Sequence, residues 1–191
     1  AEYEVLLYEF KEDLNAYLAK LGPEALVHSL ADVIAFNEKH ADREMPFFGQ
    51  EILLQSQAKG PLTEKAYVDA LERCRRLSRA EGIDATMDKH KLDALIAPTT
   101  GPAKLIDLVN GDAGGGGSFA GPAAVSGYPH VTVPAGYAHG MPVGLSFVGR
   151  AWSEPTLLRL AYAFEQAARV WQPPRFLPTA DLAAPAKRTT R

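Results

Sequence analysis

Few residues in this 191-residue chain could do chemistry, and most are isolated. They are five histidines (His28, His40, His90, His130 and His139), one cysteine (Cys74) and a serine that closes a glycine run, Gly114-Gly115-Gly116-Gly117-Ser118. As a phosphate cradle the run lacks the Lys-Ser/Thr that must follow it. As a dinucleotide fingerprint, Gly115-x-Gly117-x-x-Ala120 has the spacing, but no acid lies about 20 residues on to hold a ribose. As a nucleophile elbow, Gly116-x-Ser118-x-Ala120 lacks its last glycine and a clear preceding strand. The reading left by elimination is a loop. His130 could act as general base to Ser118, but no acid is placed to orient the imidazole, and a residue at a strand edge is the simpler account. Glu38, His40 and Asp42 alternate in a polar segment, where a solvated helix end is favoured over a metal site. Cys74 falls on the apolar face of an expected helix between arginines and reads as a buried structural thiol. Arg73, Arg75, Arg76 and Arg79 read as a solvated helix face.

The elements that must position these residues follow from charge and periodicity. Hydrophobic residues make up 47% of the chain and charged residues 23%, the balance of an ordinary globular protein with a core. Residues 1–104 carry eighteen acids and thirteen bases; residues 105–191 carry five and seven. The net charge of −3 argues against general nucleic-acid binding, and the apolar runs are too short to span a membrane. A single cysteine excludes an internal disulfide. Neither Lys nor Arg occurs between Lys104 and Arg150, nor any acid between Asp112 and Glu154, and twelve of the sixteen glycines lie between Gly101 and Gly149. Such a stretch is expected to be buried backbone or a pocket lining. The first residue is Ala1, which suggests a chain beginning at a processing point or inside a longer parent.

The spacing of Leu7, Phe10, Leu14, Tyr17 and Leu21 predicts a helix with that face inward, stopped by Gly22-Pro23. A second helix is expected over 29–40, with Leu30, Val33, Ile34 and Asn37 on one side. A short one follows near 51–58. A long one, capped by Thr63, buries Tyr67, Leu71, Cys74 and Leu77 or Ser78, and Gly82 interrupts it. Short strands are expected over 93–98, 130–134 and 143–148, the last two forming a hairpin around Tyr137–Met141. Ser153 caps a final helix traced by Leu158, Ala161, Tyr162, Glu165 and Ala168 and ended by Pro173-Pro174. The expected class is α/β, short strands of a mixed sheet flanked by helices. The expected organisation is one domain portion over 1–178, with a helical lead-in at 1–92, a sheet and pocket-wall segment at 93–178, and a tail at 179–191.

Three ordered stretches then carry a resemblance. They are Asp93-Ala-Leu-Ile-Ala-Pro-Thr-Thr100; Gly121-Pro-Ala-Ala-Val-Ser-Gly-Tyr-Pro-His-Val-Thr-Val-Pro-Ala-Gly136; and Gly140-Met-Pro-Val-Gly-Leu-Ser-Phe-Val-Gly149, continuing into 153–166. In this order and spacing they resemble the C-terminal half of amidase signature enzymes. Tyr8–Leu18 and Asp42–Gln50 resemble the peptide-amidase branch of that family. The resemblance implies hydrolysis of carboxamide bonds through an acyl-enzyme, using a lysine, a bridging serine and a nucleophilic serine, with no metal or cofactor. A neutral lysine relayed through a hydroxyl can take the serine's proton, and backbone amides can hold the oxyanion. In the family that set lies in the N-terminal half, on a Gly-Gly-Ser-Ser-Gly-Gly loop and an upstream lysine, and neither is found in this sequence.

What the resemblance carries to these residues is therefore a substrate wall, with no catalytic residue assigned. Pro98, Thr99 and Thr100 would face the site, and the stretch from Ile106 to Phe119, including Asp107 and Ser118, would line it. The expected substrate of the intact parent is a small amide or peptide amide. The chain alone is expected to be inactive and to pair with the missing N-terminal half or to self-associate. Two alternatives stand beside this reading: a non-catalytic binding or subunit module derived from an amidase, and a serine hydrolase using Ser118.

Overall fold

The computed structural model describes residues 1–104, 107–109, 111 and 117–176. Ile106, residues 114–116 of the glycine run and the expected tail at 179–191 lie outside these. The chain divides into two compact units, Ala1–Arg75 and Arg76–Arg191.

The first unit is helical: α1 (Glu2–Leu18), α2 (Leu30–Lys39), the single turn α3 (Ala41–Glu44), α4 (Glu51–Gln57) and the start of α5 (Lys65–Ser78). Ser29 begins α2, its hydroxyl accepting from Asp32 N at 3.1 Å, while the Asp32 carboxylate accepts from His28 N at 2.9 Å. The backbone donors and the Ser29 hydroxyl hold the Asp32 carboxyl below the usual carboxylate range. Leu30 and Ile34 point inward as expected, with Val33 and Asn37 half-buried.

The inward face of α1 differs from the expected one. Leu7, Tyr8 and Leu18 are buried, while Phe10, Tyr17 and Leu21 are exposed. Polar anchors account for the rotation. Tyr8 donates its hydroxyl to Glu64 at 2.5 Å, and Lys11 donates to the carbonyls of Gln57 and Lys59 at 3.1 and 2.5 Å, placing its charge at the C-terminal end of α4. Asn15 accepts from Leu30 N at 2.8 Å and ties α1 to α2. An apolar count cannot see that a tyrosine, a lysine and an asparagine hold the inward side. Tyr67 of α5 donates to Glu9 at 2.8 Å, and its ring lies 5.6 Å from that of Tyr8. The lone thiol, Cys74, is buried on α5. The first backbone bond of α5 goes from Val68 N to the Glu64 carbonyl, so the helix opens at Glu64, one residue beyond the expected Thr63 cap.

The second unit begins with the end of α5 and a π-turn, Arg79–Ile83, which passes into α6 (Asp84–His90). Gly82 sits in that turn, where an added Cβ would overlap the Leu77 carbonyl oxygen. This is the interruption expected there, made as one wide turn rather than a break. Then come β1 (Leu95–Pro98), α7 (Ala120–Ser126), β2 (His130–Ala138), β3 (Met141–Val148) and α8 (Glu154–Ala168).

The three strands form an antiparallel sheet in the order β1-β3-β2. The β2–β3 hairpin turns at His139 and Gly140, both with positive φ (+50° and +78°), the type I′ geometry that matches strand twist. Pairing steps from Pro134↔Gly144 to Gly136↔Val143, leaving Ala135 as a bulge.

Alternation along the strands sets two faces. On one, Val148 packs with Ile83, Met87 and Ala123, joined by Leu95, Phe119 and Tyr128. On the other, Phe147 packs with Leu157 and Ala161 of α8, joined by Val131, Val133, Leu145 and Phe164. The sheet is thus layered between helices, an α/β arrangement. The buried stripe of α8 is Leu157, Ala161 and Phe164; Leu158 and Tyr162, on the traced course, are exposed. Ser153 stands before α8 but donates its hydroxyl back to the Arg150 carbonyl at 2.7 Å instead of capping.

Helix α7 has no counterpart in the sequence expectations. It ends in left-handed Gly127 (φ +69°), and Arg79 Nε donates to the Ser126 carbonyl at 2.7 Å, satisfying one of its last acceptors. Tyr128 donates to Asp84 at 2.7 Å under the Arg79 guanidinium; burial first, then that carboxylate, pushes its phenol up.

Candidate functional site

The register of β2 and β3 places Thr132 opposite Ser146, and Thr99, just beyond β1, gives its N–H to the Gly144 carbonyl at 2.9 Å. These side chains share the sheet face that carries Val148. Their polar atoms join into one chain. His130 Nε2 lies 2.5 Å from Ser146 Oγ; Ser146 Oγ donates to Thr99 Oγ1 at 2.9 Å; Thr99 Oγ1 lies 2.5 Å from Thr132 Oγ1. Ser146 is fully buried, His130 and Thr99 are half-buried, and Thr132 is exposed. The chain therefore runs from the interior outward.

Gly144 makes room for it. A Cβ there would stand 2.7 Å from both threonine hydroxyls and 3.2 Å from Thr99 Cβ. This is a glycine required by close approach rather than by an unusual φ. Ser118 joins from the loop before α7: its hydroxyl donates to the Thr99 carbonyl at 2.8 Å and accepts from Ala120 N at 3.3 Å.

The residues expected to line a substrate wall are distributed as follows. Pro98 ends β1 and is exposed; Thr99 and Ser118 meet in the hydroxyl chain; Thr100 is exposed beside them. Asp107 lies in a separate turn, where its carboxylate accepts from Val109 N at 2.9 Å. Phe119 directs its ring into the Val148 core. Ile106 is outside the described residues. His130 and Thr132 were not among the expected wall residues, nor was Ser146. Their only sequence signal is the alternation of polar residues within two otherwise apolar strands.

The pairing of Ser118 with His130 is not what this geometry forms. The imidazole is spent on Ser146, and the Ser118 proton is spent on a carbonyl, so Ser118 is not activated by this histidine. Among the described residues no three His, Cys, Asp or Glu side chains converge as a metal site, and His40 stacks on Phe36 with ring centroids 4.5 Å apart. No helix of the described residues is long and apolar enough to cross a membrane. The face is thus neutral and rich in hydroxyls. It is suited to hydrogen-bonding a polar ligand.

Comparison with known proteins agrees with the residues that carried the resemblance. The family described as Amidase matches residues 1–158. The probable amidase of Arabidopsis thaliana is 40% identical over 174 residues, which is 90% of this chain and 30% of that protein. The peptide amidase of Stenotrophomonas maltophilia superposes with a TM-score of 0.82 at 47% identity, covering 92% of this chain and 34% of that one. A peptide amidase bound to the competitive inhibitor chymostatin superposes with a TM-score of 0.85 at 49% identity, covering 92% and 35%. The chain spans about a third of the length of the relatives it matches, and it belongs to the amidase family.

Proposed function

We propose that this chain is the C-terminal part of an amide hydrolase and builds one wall of its substrate pocket. The observation that carries this is the family match, joined to coverage of only a third of each relative. The sequence lacks the lysine and the Gly-Gly-Ser-Ser loop that the family's reaction needs, so the acyl-enzyme chemistry falls to the missing portion. In this reading Pro98, Thr99, Thr100, Ile106, Asp107, Ser118 and Phe119 belong to the substrate side. The hydroxyl-bearing face over Thr99 and Thr132 supports a peptide-like amide, as does the likeness to a 49%-identical peptide amidase that binds the competitive inhibitor chymostatin. Exposed apolar side chains such as Phe47, Phe48 and Ile96 support burial against the rest of the enzyme.

The test is ammonia release from N-acylated amino-acid amides. It compares this chain alone with the same chain joined to the N-terminal two-thirds of a full-length relative, the 47%-identical peptide amidase. The joined protein should turn over and the chain alone should not. Turnover by the chain alone, abolished by Ser118→Ala, would overturn the assignment and restore a serine hydrolase. A one-to-one complex of the two portions in sedimentation is the expected assembly. Stable self-association of this chain in the presence of the N-terminal portion would instead favour a binding module.

A further inference from the structure

The hydroxyl chain on the sheet can be followed proton by proton. Ser146 has one hydroxyl proton and gives it to Thr99 Oγ1. The contact between Ser146 Oγ and His130 Nε2 at 2.5 Å must then be donated by the imidazole, which fixes the tautomer with hydrogen on Nε2. Thr99 and Thr132 have two hydroxyl protons between them and one mutual contact, at 2.5 Å. One proton is spent in that contact, whichever residue donates it. The other is left over, on the exposed side of the sheet.

From this we infer that the Thr99–Thr132 pair is a hydrogen-bond donor site for a carbonyl oxygen of the substrate, a role resting on the amidase reading above. Three features support a binding role over an ordinary surface threonine. The donor stands at the end of a chain anchored on a fully buried serine, so each bond polarises the next and strengthens the last O–H. The Thr99 backbone is held in place, its N–H bound to the Gly144 carbonyl and its carbonyl to the Ser118 hydroxyl. Finally, the adjoining Ser118 hydroxyl has given its proton to that carbonyl and accepted from Ala120 N, so it keeps one free lone pair and no donor. A donor near an acceptor is the complement of a peptide group, which offers a C=O and an N–H. A carboxylate would leave the Ser118 lone pair facing negative charge, and an ammonium would face the Thr donor. The ligand class is therefore a neutral amide.

The decisive variant carries Thr99→Val and Thr132→Val together, which keeps both β-branched shapes while removing both hydroxyls; Thr132→Val alone would free the Thr99 proton and leave a donor in the pair. In the joined enzyme, KM for an N-acylated amino-acid amide should rise about tenfold with kcat nearly unchanged, as for loss of a neutral hydrogen bond used in binding. Thr99→Val combined with Thr132→Ser, which restores one hydroxyl, should bring KM back to within about twofold of the starting protein. A purely structural role would predict loss in both variants, or loss in kcat with falling melting temperature. An unchanged KM in the double-valine variant, or an equal rise in Thr99→Val with Thr132→Ser, would overturn the inference while leaving the amidase reading intact. Absence of amide turnover by the unsubstituted joined enzyme would instead sink both. An independent readout is the tautomer of His130 in this chain, read from its ring nitrogen shifts. Hydrogen on Nε2 is expected, and a bare Nε2 would break the proton count on which the donor depends.

Discussion

Gly144→Ala is the sharpest test of the packing around the hydroxyl chain. The new methyl carbon would sit 2.7 Å from Thr99 Oγ1, 2.7 Å from Thr132 Oγ1 and 3.2 Å from Thr99 Cβ. Ordinary carbon–oxygen contact is well beyond this, so both threonines must move. The Thr99 side chain cannot move alone, since its backbone N–H is bound to residue 144 itself. Two hydrogen bonds, Ser146 to Thr99 and Thr99 with Thr132, are therefore lost or distorted, at about 1 kcal/mol each. Overpacking adds roughly 1–3 kcal/mol. The expected loss is about 3–5 kcal/mol, measured as a lower denaturant midpoint at unchanged slope. Gly121→Ala is the control. It lies within α7, and nothing stands within 4 Å of its would-be Cβ. Alanine should stay within about 0.5 kcal/mol there, because Gly121 is the second residue of α7, in its first turn, and the added methyl meets no neighbour. If both variants shift stability by the same amount and sign, the close approach at Gly144 is wrong, and with it the geometry assigned to Thr99 and Thr132.

Two further outcomes check other parts of the structure. The hydrogen bond to Glu64, then burial, pushes the Tyr8 phenol up to about 12 from its ordinary value of 10.0. A group whose folded pKa is raised stabilises fully below its unfolded pKa and loses that contribution as pH rises through the folded value, so alkaline titrations should show stability falling between about pH 10 and 12, with a shallower slope in Tyr8→Phe. For α8, Leu157→Ala should cost about 2–5 kcal/mol because Leu157 is fully buried, whereas Leu158→Ala, at an exposed position, should stay within about 0.5 kcal/mol; thermal melts of the pair decide the register of that helix.

Local chemistry was legible and long-range pairing was not. The spacing of Leu30, Val33 and Ile34 announced α2, Gly82 announced the wide turn, and the short apolar runs announced the three strands, because each signal is complete within a few residues. The side of α1 that turns inward was misjudged because Tyr8, Lys11 and Asn15 find polar partners fifteen to fifty-six residues away. Helix α7 went unseen because Gly121-Pro122 reads as a breaker, whereas proline near a helix start removes a donor that has no partner there anyway. Thr99 and Ser118 were named through the resemblance, and the structure joins them by one hydrogen bond. His130, Thr132 and Ser146 were not placed with them, since their meeting depends on strand register, and a shift of one residue would send all three to the other face.

The solitary thiol on α5 has a practical consequence. Cys74 is 8% exposed, so a bulky disulfide reagent cannot reach it while the helix is closed. Its labelling must wait for local opening, and with only one sulfhydryl in the sequence every modified molecule reports the same event. The ratio of that rate to the rate for an unfolded thiol gives the opening equilibrium of α5 directly, with no engineered probe. The unmodified protein thus carries its own clock for the breathing of its helical half.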